Sequence, residues 1–377
     1  MRSLAIANND FVLRMLPHES VEQFELEGAP LVCALLQTAS PEFDGTEQEN
    51  RARVLVRKRA FSCNYRDKGI IFATLKGGQG YAKYAYLIIG SEFSGEVVAI
   101  GADVTEFSPG DRVMGDNHYI GGYQTAAGVR EGVPTNAAAS EFEVFHQVKL
   151  IRIPPEMSYE VAAAFSLGAQ TGYSMVRKLD PVAGRNILVT AAKSNTSLFA
   201  ISALRARGAN VYATSTSNRF EEQLRGLGVK ELFVVDTAQG LTHQERLCEV
   251  AREIGGFDGV IDPFYDLHLG SVMGLLVAGG RYVTCGLAGQ YPTPGRQFSH
   301  EVPDLRQAIG EAVLKNIQIV GNCLGTTADL QQAIAAYQAG DFSVVVDSVH
   351  HGQHPLEFLQ RSFTDRNRFG KVVFSYA

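Results

Sequence analysis

Lys193-Ser194-Asn195-Thr196-Ser197 sets one ammonium, three hydroxyls and one amide in a row, shortly after the apolar run Ile187-Leu188-Val189. Such donors at the start of a helix, beside a lysine, can hold a phosphate through charge-assisted hydrogen bonds and the helix N-terminus. The same turn can equally be a plain helix start, with Ser194 or Asn195 as the cap and no phosphate bound. The turn alone leaves both readings open. A second group, Thr214 to Arg219, places small hydroxyls ahead of a cation. A third, Cys63-Asn64-Tyr65-Arg66-Asp67, leads into the glycine- and tyrosine-rich stretch LKGGQGYAKYAY, which carries Tyr81 and Tyr84. Loops of this kind, held between strands, are where substrate pockets form.

Those groups need a scaffold, and the surrounding text supplies one. Ile187 to Val189 reads as a parallel strand covered on both faces, and Val211 to Ala213 as another. Between them Leu198, Ile201 and Leu204 recur at helical spacing, and Gly208 follows Arg205 and Arg207 where a helix ends. Strand, helix and strand in so short a segment require a right-handed crossover. The Lys193 to Ser197 turn then opens at the carboxyl edge of a sheet, where ligands bind. A dinucleotide-binding turn normally contains glycines that let the backbone approach a pyrophosphate, and this one has none.

The alternation continues through Glu231 to Asp236, a polar helix ending near Arg252, Gly259 to Phe264, a further helix, Gly279 to Gly289 and Asn316 to Gly325. Repeated β-α units predict a doubly wound parallel sheet. Upstream, Pro41 to Asn50 reads as an exposed loop, with ordered structure resuming at Ala52 and a half-buried strand over Arg53 to Lys58. From Gly90, short strands punctuated by glycines and by Ser108-Pro109-Gly110-Asp111 predict a small β-barrel or sandwich. Asn117 to Ser140 reads as a long loop over its mouth. Glu141 to Ile153 returns to strand character, and Glu160 to Val176 reads as the helix that introduces the second domain. A helix over Asp329 to Tyr337 and a strand over Lys371 to Ala377 are expected to pack back onto the first domain.

The 377 residues set an expectation of two domains. A net charge of −6 with acids and bases interspersed offers no basic footprint for nucleic acid and no polybasic membrane segment. No stretch reaches the ~18 apolar residues of a transmembrane helix, and a cytoplasmic location is the expectation. The five cysteines are scattered and never spaced as CxxC, which argues against a disulfide framework or a structural zinc lobe. Cys63, between Phe61 and Ser62 on one side and Asn64 on the other, reads as buried packing.

GSEFSGEVVAIGADVTEFSPGDRVMGD resembles the signature of the medium-chain dehydrogenase/reductase superfamily. SCNYRDKG, AAAFSLGAQTGYSMV, ILVTAA, GANVYATSTS, VAGGRYVTCG, LKNIQIVG and FGKVVF follow in that superfamily's order, from about residue 45 to the end. The resemblance implies a Rossmann domain, a doubly wound parallel α/β sheet, inserted into a GroES-like β-barrel catalytic domain. The boundaries expected are 1–165 and 326–377 for the catalytic domain and 166–325 for the Rossmann domain. Zinc alcohol dehydrogenases of the superfamily carry Gly-His-Glu where this chain has Gly90-Ser91-Glu92, so the imidazole is missing and no catalytic metal is expected. His118 and His146 lie elsewhere in the same domain and read as ordinary surface or core residues.

The zinc-free members it resembles most are the quinone oxidoreductases and the enoyl reductases of polyketide synthases, which share an Asn-(Phe/Tyr)-Arg-Asp segment like Asn64 to Asp67. By that resemblance NADPH reduces an activated alkene, Asn64 donates a hydrogen bond to the developing enolate oxygen, and Tyr81 or Tyr84 supplies the proton. For both tyrosines, ring packing at the barrel mouth is the competing reading. An NAD enzyme usually ends its second strand with a carboxylate. Here Ser215 and Arg219 stand instead, which suits a 2′-phosphate and NADPH, unless Arg219 is simply a solvated helix residue. The family's habit of pairing Rossmann sheets makes a homodimer the expectation. The alternative is a degenerate member that keeps the fold but has lost or altered dinucleotide binding, serving as a non-redox enzyme or scaffold.

Overall fold

The computed structural model describes residues 1–76, 84–118, 136–236, 241–288 and 305–376. The chain forms two compact units. Among the described residues it leaves the first after Leu167 and returns to it at Val346. Among the described residues, nine strands precede the second unit: β1 (Arg2–Ala7), β2 (His18–Leu26), β3 (Ala29–Gln37), β4 (Arg53–Ser62), β5 (Tyr86–Ile88), β6 (Glu92–Ile100), β7 (Arg112–Gly115), β8 (Phe142–His146) and β9 (Leu150–Arg152). The second unit holds β10 (Asn186–Val189), β11 (Asn210–Ser215), β12 (Val229–Val234), β13 (Phe257–Asp262), β14 (Leu276–Thr284) and β15 (Gln318–Gly321), and the chain closes with β16 (Val346–His350) and β17 (Lys371–Ser375).

The residues before the Pro41 to Asn50 loop, for which no element was expected, form strands from Arg2 onward. An antiparallel sheet in the order β2-β3-β1-β5 uses the first 37 residues. Its inner strands hid from period-2 reading because both of their faces are buried. Leu4, Ile6, Cys33 and Leu35 join the main core of the unit, while Ala5, Ala7, Ala34 and Leu36 build a separate small core with Leu13.

The second sheet of this unit runs β16-β17-β4-β6-β7-β9, with β8 also paired to β4. Gly101, just past β6, is required by close approach, since a Cβ there would lie 2.0 Å from the Asn50 carbonyl oxygen. The returning chain is held by aromatic packing: Phe61 of β4 lies 5.3 Å, centroid to centroid, from both Phe358 and Phe374.

Among the described residues of the second unit, six parallel strands run in the order β12-β11-β10-β13-β14-β15, the doubly wound arrangement. The expected helix after β10 spans Asn195–Ala206, and Gly208 takes a left-handed φ of 74° just beyond it. The helix Thr327–Gln338 belongs here and not to the returning segment expected from residue 326. The cause is electrostatic. Arg177, in the helix Ser166–Leu179, forks onto the nearly sealed Asp329 at 2.8 and 2.9 Å, and Arg207 reaches Gln332 at 3.1 Å.

Candidate active site

The turn after β10 in the second unit is closed by side chains. Ser194 is the helix N-cap: its Oγ accepts from the Ser197 amide at 3.2 Å and donates to Ser197 Oγ at 2.8 Å. Ser197 Oγ in turn donates to the Thr190 carbonyl at 2.9 Å. The capping role of Ser194 is therefore real. Asn195 is buried against Gly168, where a Cβ would come within 2.5 Å of its amide nitrogen. Thr196 and Lys193 are half-buried. The turn keeps one left-handed residue although it has no glycine: Ala191 has φ 48°.

Lys193 joins the turn to the end of the next strand, its Nζ donating to Ser217 Oγ at 3.4 Å. Ser215, the last residue of β11, is buried and accepts from the Ser217 amide at 3.3 Å. Arg219 is exposed, with its guanidinium carbon 5.5 Å from the Phe220 ring centroid. Lys193, Ser215, Ser217 and Arg219 thus form one polar rim at the carboxyl edge of the sheet.

In the first unit Asn64, Asp67, Ser91, Glu92 and Lys371 form a closed network. The Asn64 amide nitrogen donates to Ser91 Oγ at 2.9 Å and to Glu92 Oε2 at 3.0 Å. Lys371 Nζ donates to Asn64 Oδ1 at 2.5 Å and pairs with Glu92 Oε2 at 2.6 Å. Glu92 Oε1 accepts from the Leu167 amide at 2.7 Å. Ser91 Oγ donates to Asp67, which also accepts from the Asn64 backbone amide at 2.6 Å. Burial pushes the Asp67 carboxyl above its ordinary value, against the pull of Arg66, Ser91, the Asn64 amide and Lys371. Burial, with the Asp67 charge adding to it, also pushes the Cys63 thiol well up, so Cys63 is inert packing. Asn64 is the half-buried outer member of the network, while the other four are buried.

Two family models match this chain: an alcohol dehydrogenase GroES-like domain over residues 50–155 and a zinc-binding dehydrogenase domain over residues 196–339. The chain belongs to the medium-chain dehydrogenase/reductase superfamily. Its fold is the GroES-like domain plus Rossmann sheet of that superfamily, whose members bind a nicotinamide dinucleotide. An acryloyl-coenzyme A reductase of Metallosphaera sedula is 26% identical over 85% of this chain and 92% of its own length. A quinone oxidoreductase of Homo sapiens is 24% identical over 71% of this chain and 72% of its own. The crystal structure of an NAD-dependent alcohol dehydrogenase shares the fold over the full length of both chains, with a TM-score of 0.77 at 24% identity.

Two parts of the candidate site were not visible in the sequence. Lys371 reaches the network only because β17 returns beside β4. At the end of β13, the fully buried Asp262 collects four donors: Thr190 Oγ1 at 2.7 Å, the Phe264 amide at 2.8 Å, His268 Nδ1 at 2.9 Å and the Tyr282 hydroxyl. Burial alone would raise its carboxyl, but His268, Tyr282 and Thr190 outweigh that and hold it below the ordinary value. Tyr84 is 57% exposed, its backbone amide on the Thr74 carbonyl at 3.2 Å, and Tyr81 lies outside the described residues, as do 119–135 of the expected Asn117 to Ser140 loop.

Proposed function

We propose that this dehydrogenase-family chain is an NADPH-dependent reductase of activated carbon–carbon double bonds that works without zinc. The Lys371-Glu92-Asn64 cluster carries the reading. A catalytic zinc needs three protein ligands and an open position. Here the two residues beside Glu92 are a neutral amide and a neutral hydroxyl, Oε1 is taken by the Leu167 amide, and an ammonium already sits on Oε2. A dication would have to displace that ammonium, so the donor set does not fit zinc. The relatives named as reducing acryloyl-coenzyme A and quinones act on conjugated acceptors, which supports the substrate class.

A nicotinamide dinucleotide fits the second unit. Lys193 and the N-terminus of the helix Asn195–Ala206 would face the pyrophosphate, and Ser215 and Arg219 the 2′-phosphate. When bound, the dihydronicotinamide would supply the hydride that the β-carbon of the acceptor takes up. Asn64 holds the carbonyl oxygen as it gains charge. Lys371, bonded to Asn64 Oδ1, polarises the amide and strengthens its N–H as a donor. The bond from Asn64 to Ser91 is the one exchanged for substrate, because Ser91 keeps its bond to Asp67. A tyrosine of the following loop, Tyr81 or Tyr84, delivers the proton to the α-carbon.

A second copy of the chain is the partner this reading takes. The sheet edge β15 is unpaired among the described residues, and Leu305, Ile309 and Val313 stand at i, i+4 and i+8 on the helix Leu305–Lys315, each at least 50% exposed. One observation favours the degenerate alternative: Ser194 and Ser197 use their hydroxyls on each other and on Thr190. Fluorescence titration with NADPH and NADH separates the two readings before any substrate is known. The reductase binds NADPH tighter than NADH and oxidises it with an enone or enoyl thioester; a chain that binds neither nucleotide is the scaffold. Light scattering should give twice the chain mass.

A further inference from the structure

The strand order places the topological switch point of the second unit between β10 and β13, where the helices that follow go to opposite faces and leave a crevice for ligand. Asp262 bridges that crevice, since Oδ1 takes Thr190 Oγ1 from the residue after β10 and His268 Nδ1 from the helix Tyr265–Val272 after β13. The Asp262 carboxylate accepts, so Nδ1 carries the proton, and whenever the ring holds a single proton Nε2 keeps its lone pair. His268 is 4% exposed, and Nε2 has no hydrogen-bond partner among the described residues. A ring fixed in one tautomer by a buried carboxylate, with its outer nitrogen open beside the switch point, is an acceptor waiting for a hydroxyl.

We propose that His268 Nε2 accepts a hydrogen bond from a ribose hydroxyl on the nicotinamide side of the dinucleotide. This rests on the cofactor reading above. The half is chosen by topology: β10, β11 and β12 form the mononucleotide half that faces Ser215 and Arg219, and β13 begins the other half. Asp262 is then the positioning residue that sets the tautomer.

The test uses the full chain, NADPH, NADPH lacking the hydroxyls of its nicotinamide ribose, and 2′,5′-ADP, which carries only the adenosine half. His268→Asn keeps a donor for Asp262 and deletes Nε2. It should weaken NADPH about tenfold, the size of one hydrogen bond to a buried acceptor, and leave 2′,5′-ADP unchanged. His268→Gln, whose amide oxygen reaches the Nε2 position, should recover part of the loss. Wild type should bind the deoxy nucleotide about tenfold more weakly than NADPH, a comparison that needs no folded variant. Equal weakening of NADPH and 2′,5′-ADP by His268→Asn, or equal affinity of wild type for NADPH and the deoxy nucleotide, overturns the assignment while leaving the cofactor reading intact. A wild-type protein that takes neither NADPH nor 2′,5′-ADP overturns the cofactor reading and this role with it.

Discussion

Lys371 Nζ stands 2.6 Å from Glu92 Oε2, and neither side chain is more than 4% exposed. Each charge has left water, and the other, together with Asn64, the Leu167 amide, the Ser62 hydroxyl and the Cys63 carbonyl, replaces the lost hydration. Removing one partner strands the other. Lys371→Met is therefore expected to lower the unfolding free energy in urea by about 3–5 kcal/mol, and adding Glu92→Leu should recover much of that loss. A single variant that loses less than about 1 kcal/mol would mean that Glu92 finds a proton or water in place of the ammonium.

A smaller effect is expected at Ala191. Its φ of 48° costs an alanine roughly 1–2 kcal/mol, while glycine gains about 0.4–1 kcal/mol of extra freedom when unfolded. Ala191→Gly should raise the unfolding free energy by the difference, about 0.5–1 kcal/mol, and with it the urea midpoint, at an unchanged denaturant slope. A drop in stability would show that the turn relaxes away from the left-handed region.

The contrast between these two sites shows where sequence reading stops. The Rossmann half was legible from apolar runs, helical spacing at Leu198, Ile201 and Leu204, and Gly208 at the helix end, because those signals are local. The sheet formed by residues 2–37 was not, since strands buried on both faces lose the alternation that betrays a strand. Ser194 was readable as a cap because capping acts over three residues. Lys371 and the Asp262 network were not readable: their partners meet through strand pairing across most of the chain or across a strand-to-helix junction. The text also gave no warning that Asn64 would have its amide already engaged.

Asp262 gives the clearest pH dependence. Its carboxyl is held below the ordinary 3.8, so it binds fewer protons folded than unfolded in the acid range. The stability it contributes is present above that ordinary value and is lost as pH falls through the folded one. The stability gap between wild type and Asp262→Asn, read from urea melts, should accordingly be widest near neutrality and shrink as pH falls below ~4. A gap that holds constant into acid would show that the carboxylate charge is not what stabilises the network.

Selectivity between the two nucleotides should sit at Arg219. The guanidinium is exposed and rests near Phe220, so it is available to a 2′-phosphate without breaking an internal bond that the fold needs. Arg219→Ala is expected to weaken NADPH by ~1–3 kcal/mol and to leave NADH nearly unchanged. Equal losses would move the 2′-phosphate site elsewhere.

The glycine-free turn decides most about the cofactor. Glycines normally let the backbone meet a pyrophosphate, but here Ser194 and Ser197 spend their hydroxyls on capping and on the Thr190 carbonyl. What remains for the phosphates is the helix N-terminus, the half-buried Thr196 and the Lys193 charge, whose Nζ lies 3.4 Å from Ser217 Oγ. Lys193→Ala should then raise the dissociation constants of NADPH and NADH by the same factor, since both carry the same pyrophosphate, and that factor should shrink as salt screens the pair. Restoring glycine at Ser194 and Ser197 is a different experiment. It removes the cap at a cost of a few tenths of a kcal/mol at Ser194, and more at the buried Ser197, where the bond to Thr190 is lost. The double glycine variant is therefore expected to melt lower, and to bind more tightly only if backbone approach matters more than the rigidity that the two serines provide. Wild-type affinity that is indifferent to both Lys193 and the serines would remove the phosphates from this turn altogether.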